Sequence, residues 1–164
     1  MKPGGQKQKG SNWERALCKI LKERFPGRDF SRVPTSGAFF GKTNKEKRSL
    51  AEDNVKEVLS GDIICPSDFR FSVECKSYAE ISFWDLFNDS SDLHSWMKQC
   101  SEDAEFTNKI PLLVVKINNH KPFIGTTMEL TNYVFKHNDF YFQTLESFLN
   151  LKETVFFEEK KING

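Results

Sequence analysis

The chain is short of the residues that staple or ligate. Of its 164 residues, 6 are proline, 3 histidine and 4 cysteine. The cysteines stand at positions 18, 65, 75 and 100. None forms a CxxC pair, and no histidine sits at zinc-ligand spacing from them, which argues against a structural zinc site. They lie in or beside apolar stretches such as Leu17-Cys18-Lys19-Ile20, Ile63-Ile64-Cys65 and Val73-Glu74-Cys75, so buried free thiols in a reducing compartment are expected. No apolar run reaches the roughly 18 residues that a membrane span needs. Met1 to Gly10 is rich in Lys, Gly and Gln and has no apolar core segment, so no secretory signal is expected and the cytoplasm is the expected compartment.

Aromatic residues are plentiful: 16 Phe and 3 Trp can fill a core in a chain long enough for one domain. The net charge of +1 hides an asymmetry. Residues 1–48 carry 13 Lys and Arg against 4 Asp and Glu, a balance of +9, and the remainder carries 11 against 19, a balance of -8. A basic first third suits a polyanion-binding face, and it equally suits a solvated tail.

Residues 1–10 read as a flexible basic arm before a single domain over 11–164. A helix is expected from Ser11 or Asn12 to Phe25, with Trp13, Ala16, Leu17, Ile20 and Leu21 on its apolar stripe, stopped by Pro26-Gly27. Asp29 to Val33 reads as a short strand, and Pro34 to Arg48 as a loop. Ser49-x-x-Glu52 is a capping box for a short helix to Leu59. Gly61 to Cys65 reads as a strand that forms an antiparallel hairpin with Phe69 to Lys76, where apolar and polar residues alternate. A second amphipathic helix is expected over Asp92 to Phe106. Ile110 to Ile117 is a nearly continuous apolar run, the mark of a central strand covered on both faces. Phe123 to Thr127 pairs back on it, Tyr133 to Phe142 is extended, and Gln143 to Leu151 has helical spacing. This order suggests an α/β fold, a mixed sheet flanked by helices.

Within this frame Glu14, Asp62, Glu74 and Lys76 stand out. Glu74 and Lys76, two apart on a strand, share one face. In an antiparallel hairpin Asp62, at the start of one strand, meets Glu74 at the end of the next. Glu14, on the flank of the first helix's stripe, can reach over the sheet. Three acids and a lysine at one sheet edge make a hard-cation site suited to Mg²⁺ and a phosphate substrate. Each residue taken singly also fits a plainer role, with Glu74 and Lys76 as a surface pair and Asp62 as a turn residue.

The pattern Asp62–x11–Glu74-x-Lys76, with Glu14 upstream, resembles the PD-(D/E)XK nuclease superfamily. The fuller set resembles the small Holliday junction resolvases of archaea and their phage relatives: Gly10 to Leu17 (GSNWERAL), Arg32 to Gly37 (RVPTSG), Gly61 to Ile64 (GDII) and Val73 to Ser77 (VECKS). The usual proline before the aspartate is replaced by Gly61, and the loop from Gly37 to Ser60 is long. The resemblance implies a restriction-endonuclease-like core and a metal-dependent endonuclease that leaves 5′-phosphate and 3′-hydroxyl ends on DNA. Glu14, Asp62, Glu74 and the Cys75 carbonyl would hold Mg²⁺, for which Mn²⁺ is expected to substitute. Lys76 would serve the attacking water. Ser36 resembles a serine that assists catalysis in those resolvases, and is also a plain turn residue before Gly37. Gln99, at the edge of the second helix's stripe, matches a position that faces the site in many members, or faces solvent. Lys7, Lys9, Arg15, Arg32, Lys42, Lys45, Lys47 and Arg48 would contact DNA phosphates, which is sequence-blind binding. His94, His120 and His137 are scattered, which disfavours an HNH or zinc nuclease.

A resolvase makes two symmetric nicks, so a homodimer is expected. The many Phe residues, among them Phe83, Phe87, Phe135, Phe140, Phe142, Phe156 and Phe157, would serve either an interface or the core. Two other readings stand beside this one. One is a restriction- or repair-type nuclease of the same superfamily acting on duplex DNA, and the other is a non-catalytic DNA-binding protein on that fold.

Overall fold

A computed structural model of the chain describes residues 4–34 and 61–159, with side chains from residue 8 onward. The expected helix over Ser49 to Leu59 lies outside the described residues. The first helix, α1, spans Gly4–Arg24. It therefore begins seven residues before Ser11, and residues 4–10, expected to form a flexible arm, are helical. Lys and Gln are good helix formers and extend the helix through Gly10. Its buried side is Trp13, Leu17, Cys18, Leu21 and Phe25, together with Glu14. Ala16 is exposed, so the stripe is turned toward Cys18 and Glu14 lies on it rather than on its flank.

The strands β1 (Ser31–Arg32) and β2 (Ile63–Ile64) pair antiparallel with each other, with Arg32 opposite Ile63. The expected β-hairpin between the Gly61 and Phe69 segments is not formed. Instead β3 (Phe71–Tyr78) pairs in parallel with β4 (Ile110–Ile117), Glu74 opposite Leu113. The turn at Pro66-Ser67-Asp68 leaves β2 joined to β3 by the Asp62 N–H, which donates to the Val73 carbonyl at 2.8 Å. A parallel partner requires a crossover. It is supplied by α2 (Asp92–Phe106), whose N-cap Ser91 accepts from the His94 N–H. The sheet continues through β5 (Phe123–Thr126), β7 (Phe140–Thr144) and edge strand β6 (Phe135–His137). The segment Tyr133 to Phe142 is thus a hairpin, β6 to β7, turned at Asn138, which has φ 50°. The short helix α3 (Leu145–Leu149) is capped by Thr144.

β4 is buried on both faces, as its apolar run requires. Leu112 and Val114 join the core under α1, and Leu113, Val115 and Ile117 join the core under α2. The fold is therefore α/β, a mixed five-stranded sheet flanked by helices. The phenylalanines divide between two roles. Phe140, Phe142, Phe156 and Phe157 are buried, while Phe83, Trp84 and Phe87, in a 3-10 turn after β3, are about 70 % exposed. Cys18, Cys75 and Cys100 are buried free thiols and Cys65 is half-buried, as expected.

Candidate active site

Alternation along β3 sends Phe71, Val73 and Cys75 into the core under α1 and turns Ser72, Glu74 and Lys76 toward α2. Glu74 is only 3 % exposed. Its Oε1 accepts from Lys76 Nζ at 2.7 Å and from Gln99 Nε2 at 2.8 Å, and Lys76 Nζ also donates to Gln99 Oε1 at 3.0 Å. Glu74, Lys76 and Gln99 thus close a triangle, with Gln99 carried by α2.

Asp62 is tied on three sides. Its N–H reaches Val73, its carbonyl accepts from the Val33 N–H at 2.9 Å, and its Oδ2 accepts from the Cys75 N–H at 2.8 Å. The side chain thereby stands in for a missing ladder partner. In an extended strand a residue's N–H and C=O point to the same edge, so the Cys75 carbonyl faces Asp62 and not β4. Gly61 makes this approach possible. Its φ is 77°, and a Cβ there would lie 2.6 Å from the Val73 carbonyl oxygen. A proline, with φ fixed near −65°, cannot occupy that backbone.

The electrostatics follow from burial. Asp62 is pushed from its ordinary 3.8 up to about 6, first by burial and further by the charge of Glu14, while the Cys75 N–H opposes the rise. Glu74 is pushed from 4.5 up to about 8 by burial and by the charge of Asp62, with Lys76 opposing. Burial alone would lower Lys76, but the charge and hydrogen bond of Glu74 hold it above its ordinary value. Burial raises the Cys75 thiol well above its usual range, so its sulfur stays protonated and its carbonyl is the donor on offer. A buried carboxylate raised by the charge of its neighbour, as Glu74 is by Asp62, is what a divalent cation would relieve. The donors are hard oxygens, which fit Mg²⁺ and Mn²⁺ better than softer metals.

Glu14 is only 8 % exposed and close enough for its charge to act on Asp62. Its Oε2 accepts from Arg32 Nε. Among the described residues, no three His, Cys, Asp or Glu side chains gather as a metal-holding group. Asp62, Glu74, Lys76 and Gln99 thus come together, and Glu14 stands beside them in an ion pair with Arg32. Arg15 is exposed and donates to Asn12 Oδ1 at 3.2 Å, and Lys9 is exposed. Lys7 lies within α1, and Ser36, Lys42, Lys45, Lys47 and Arg48 lie outside the described residues.

Sequence reasoning missed Asp103. It is 7 % exposed on α2, and its charge acts on both Asp62 and Glu74. The available signal was an acid within the apolar stripe of Trp96, Cys100 and Ala104.

The profile of a family described as "Phage putative PDDEXK endonuclease" matches residues 5–161. The chain belongs to this phage PD-(D/E)XK endonuclease family. It is similar to Protein D14 of Escherichia phage T5, 31 % identical over 143 residues, covering 81 % of this chain and 83 % of that protein. Among solved structures it is similar to Hjc, a Holliday junction resolvase of Archaeoglobus fulgidus, at 15 % identity and a TM-score of 0.42, covering 82 % of this chain and 86 % of Hjc. The family match supports a nuclease of the PD-(D/E)XK type. Among the described residues, no helix is long and apolar enough to cross a membrane.

Proposed function

We propose that the chain is a Mg²⁺-dependent, structure-selective DNA endonuclease that resolves four-way junctions, acting in the cytoplasm of a phage-infected host cell. The observation that carries the reading is the convergence of Asp62, Glu74 and Lys76 with Gln99 where β2 meets β3. Asp62, Glu74, the Cys75 carbonyl and Glu14 would hold the cation. When bound, it supplies positive charge beside the scissile phosphate and favours ionisation of water. Lys76, kept protonated by Glu74, orients the attacking water and stabilises charge on the phosphate as it passes through the transition state. Gln99 holds Lys76 and Glu74 at hydrogen-bond distance and limits their rotamers. The products are a 5′-phosphate and a 3′-hydroxyl.

DNA contacts are assigned to Lys7, Lys9, Arg15, Arg32, Lys42, Lys45, Lys47 and Arg48, with Ser36 at a phosphate. These side chains meet the backbone and not base edges, which favours shape over sequence. Paired nicks call for two sites, so the active form is a homodimer. The exposed cluster Phe83, Trp84 and Phe87 supports an interface, with ring centroids 5.6–6.0 Å apart.

The test is cleavage of an end-labelled four-way junction with Mg²⁺, beside a linear duplex of the same arm sequence and a lane with EDTA. Symmetric nicks in the junction alone, lost in EDTA, are expected. Equal cutting of both would make it a duplex-cutting nuclease of the same family. Binding of the junction without cutting at any Mg²⁺ concentration would make it a non-catalytic DNA-binding protein.

A further inference from the structure

Of the acids around the site, Glu14 is committed to a cation already present. Arg32 Nε donates to its Oε2, with the two side chains 27 % and 11 % exposed. Arg32 lies in β1 opposite Ile63, one residue from Asp62, and the next residue, Val33, donates to the Asp62 carbonyl. The pair therefore stands directly beside Asp62, and the charge of Glu14 acts there. Glu14, Asp62 and Glu74 do not together surround one point. A carboxylate so little exposed needs a cationic partner, because an unpaired buried charge is costly. A guanidinium, in turn, matches a carboxylate or a phosphate equally well in shape and charge. The two partners can thus exchange: Arg32 onto a DNA phosphate, and Glu14 onto a divalent cation.

We propose that Arg32 is a positioning residue that couples DNA binding to completion of the cation site. In the free protein it holds Glu14 in an ion pair. When its guanidinium turns to a DNA phosphate, Glu14 is released to join Asp62 and Glu74. The proposal rests on the nuclease reading above. The free enzyme then binds Mg²⁺ weakly, and cation and DNA each raise the affinity of the other by the same factor.

The first measurement is Mg²⁺ titration calorimetry of the full chain without DNA. Arg32→Gln is expected to bind Mg²⁺ about tenfold more tightly than wild type, as loss of one competing ion pair of about 1.4 kcal/mol implies. Adding Glu14→Gln to that variant is expected to remove the gain. A residue that only braces the fold would weaken binding when replaced, not strengthen it. Equal or weaker binding by a folded Arg32→Gln overturns the proposal. If that variant fails to fold, Arg32→Lys takes its place, with a smaller gain expected and no gain overturning the proposal.

The second measurement is DNA affinity by fluorescence anisotropy in a Lys76→Ala background, which keeps the acids. Mg²⁺ is expected to tighten DNA binding severalfold with Arg32 present and to have no effect with Arg32→Gln. An equal effect in both overturns the coupling. If no form binds Mg²⁺, the cation-site reading itself fails. If wild type binds it, Asp62→Asn does not, and Arg32→Gln matches wild type, only the coupling fails.

Discussion

Replacing Asp62 by asparagine separates the cost of the site from its use. The Asp62 carboxylate is buried beside Glu14 and Glu74, and it titrates at about 6 in the folded protein against an ordinary 3.8. A folded-state pKa above the unfolded one means that the native state holds its proton longer. The contribution of Asp62 to stability therefore falls as pH rises from about 4 to about 6 and stays low above that, while that of Glu74 goes on falling toward pH 8. Two units at about 1.4 kcal/mol each give roughly 3 kcal/mol, an order-of-magnitude figure. The amide oxygen of the replacement would still accept from the Cys75 N–H, so the structural bond survives the change. In EDTA, wild type is expected to lose stability between pH 4 and pH 8, and Asp62→Asn to lose about 3 kcal/mol less. For a chain of this length that corresponds to a Tm roughly 6–12 °C higher for the variant at pH 8. Urea unfolding at the two pH values gives the free energies. Adding Mg²⁺ at pH 8 should then raise the stability of wild type and leave the variant unchanged. Parallel pH profiles, or a variant less stable than wild type at pH 8, would refute the argument that burial, and not its hydrogen bond, governs Asp62.

Two further outcomes follow from the same geometry. Gly61→Ala places a Cβ 2.6 Å from a backbone oxygen at φ 77°, so it is expected to cost about 2–4 kcal/mol and to weaken Mg²⁺ binding through Asp62, measured by unfolding and calorimetry. Lys76→Ala is expected to slow cleavage by a factor of at least about 10² while junction affinity stays within a few-fold, so comparable losses in the two assays would make Lys76 a DNA-binding or structural residue.

What could be read from the sequence was local. The bounds of α2 and β4 follow from an uninterrupted 3.6-residue pattern and an uninterrupted apolar run, and both agree with the structure residue for residue. The alternation in β3 gave the shared face of Glu74 and Lys76. Pairing was harder to read, because periodicity says which face is buried and not which strand lies alongside. The segment at Asp62 therefore joins β1, and the parallel partner of β3 lies some forty residues onward across α2. Asp62 still meets Glu74, because its side chain and backbone bond to β3 without a ladder. Gly61, visible only as a departure from the usual proline, acquires a reason from its close contact with Val73. The roles of the phenylalanines depend on three-dimensional packing, which spacing does not encode. The ion pair between Glu14 and Arg32 joins residues 18 apart through a turn and a strand, so no short pattern announces it.

The aromatic seat beneath α1 has a consequence for biosynthesis. Phe25, at the end of that helix, packs against Phe156 and Phe157 with ring centroids 4.9 and 5.1 Å away, and Phe69 is bridged to Phe157. A nascent chain has exposed Phe25 and Phe69 long before the residues that cover them leave the ribosome. The seat of the helix that carries Glu14 is thus complete only once Phe156 and Phe157 have been made. A product terminated before Phe156 would lack the rings that close over Phe25 and Phe69, and its apolar surface would be open to proteolysis.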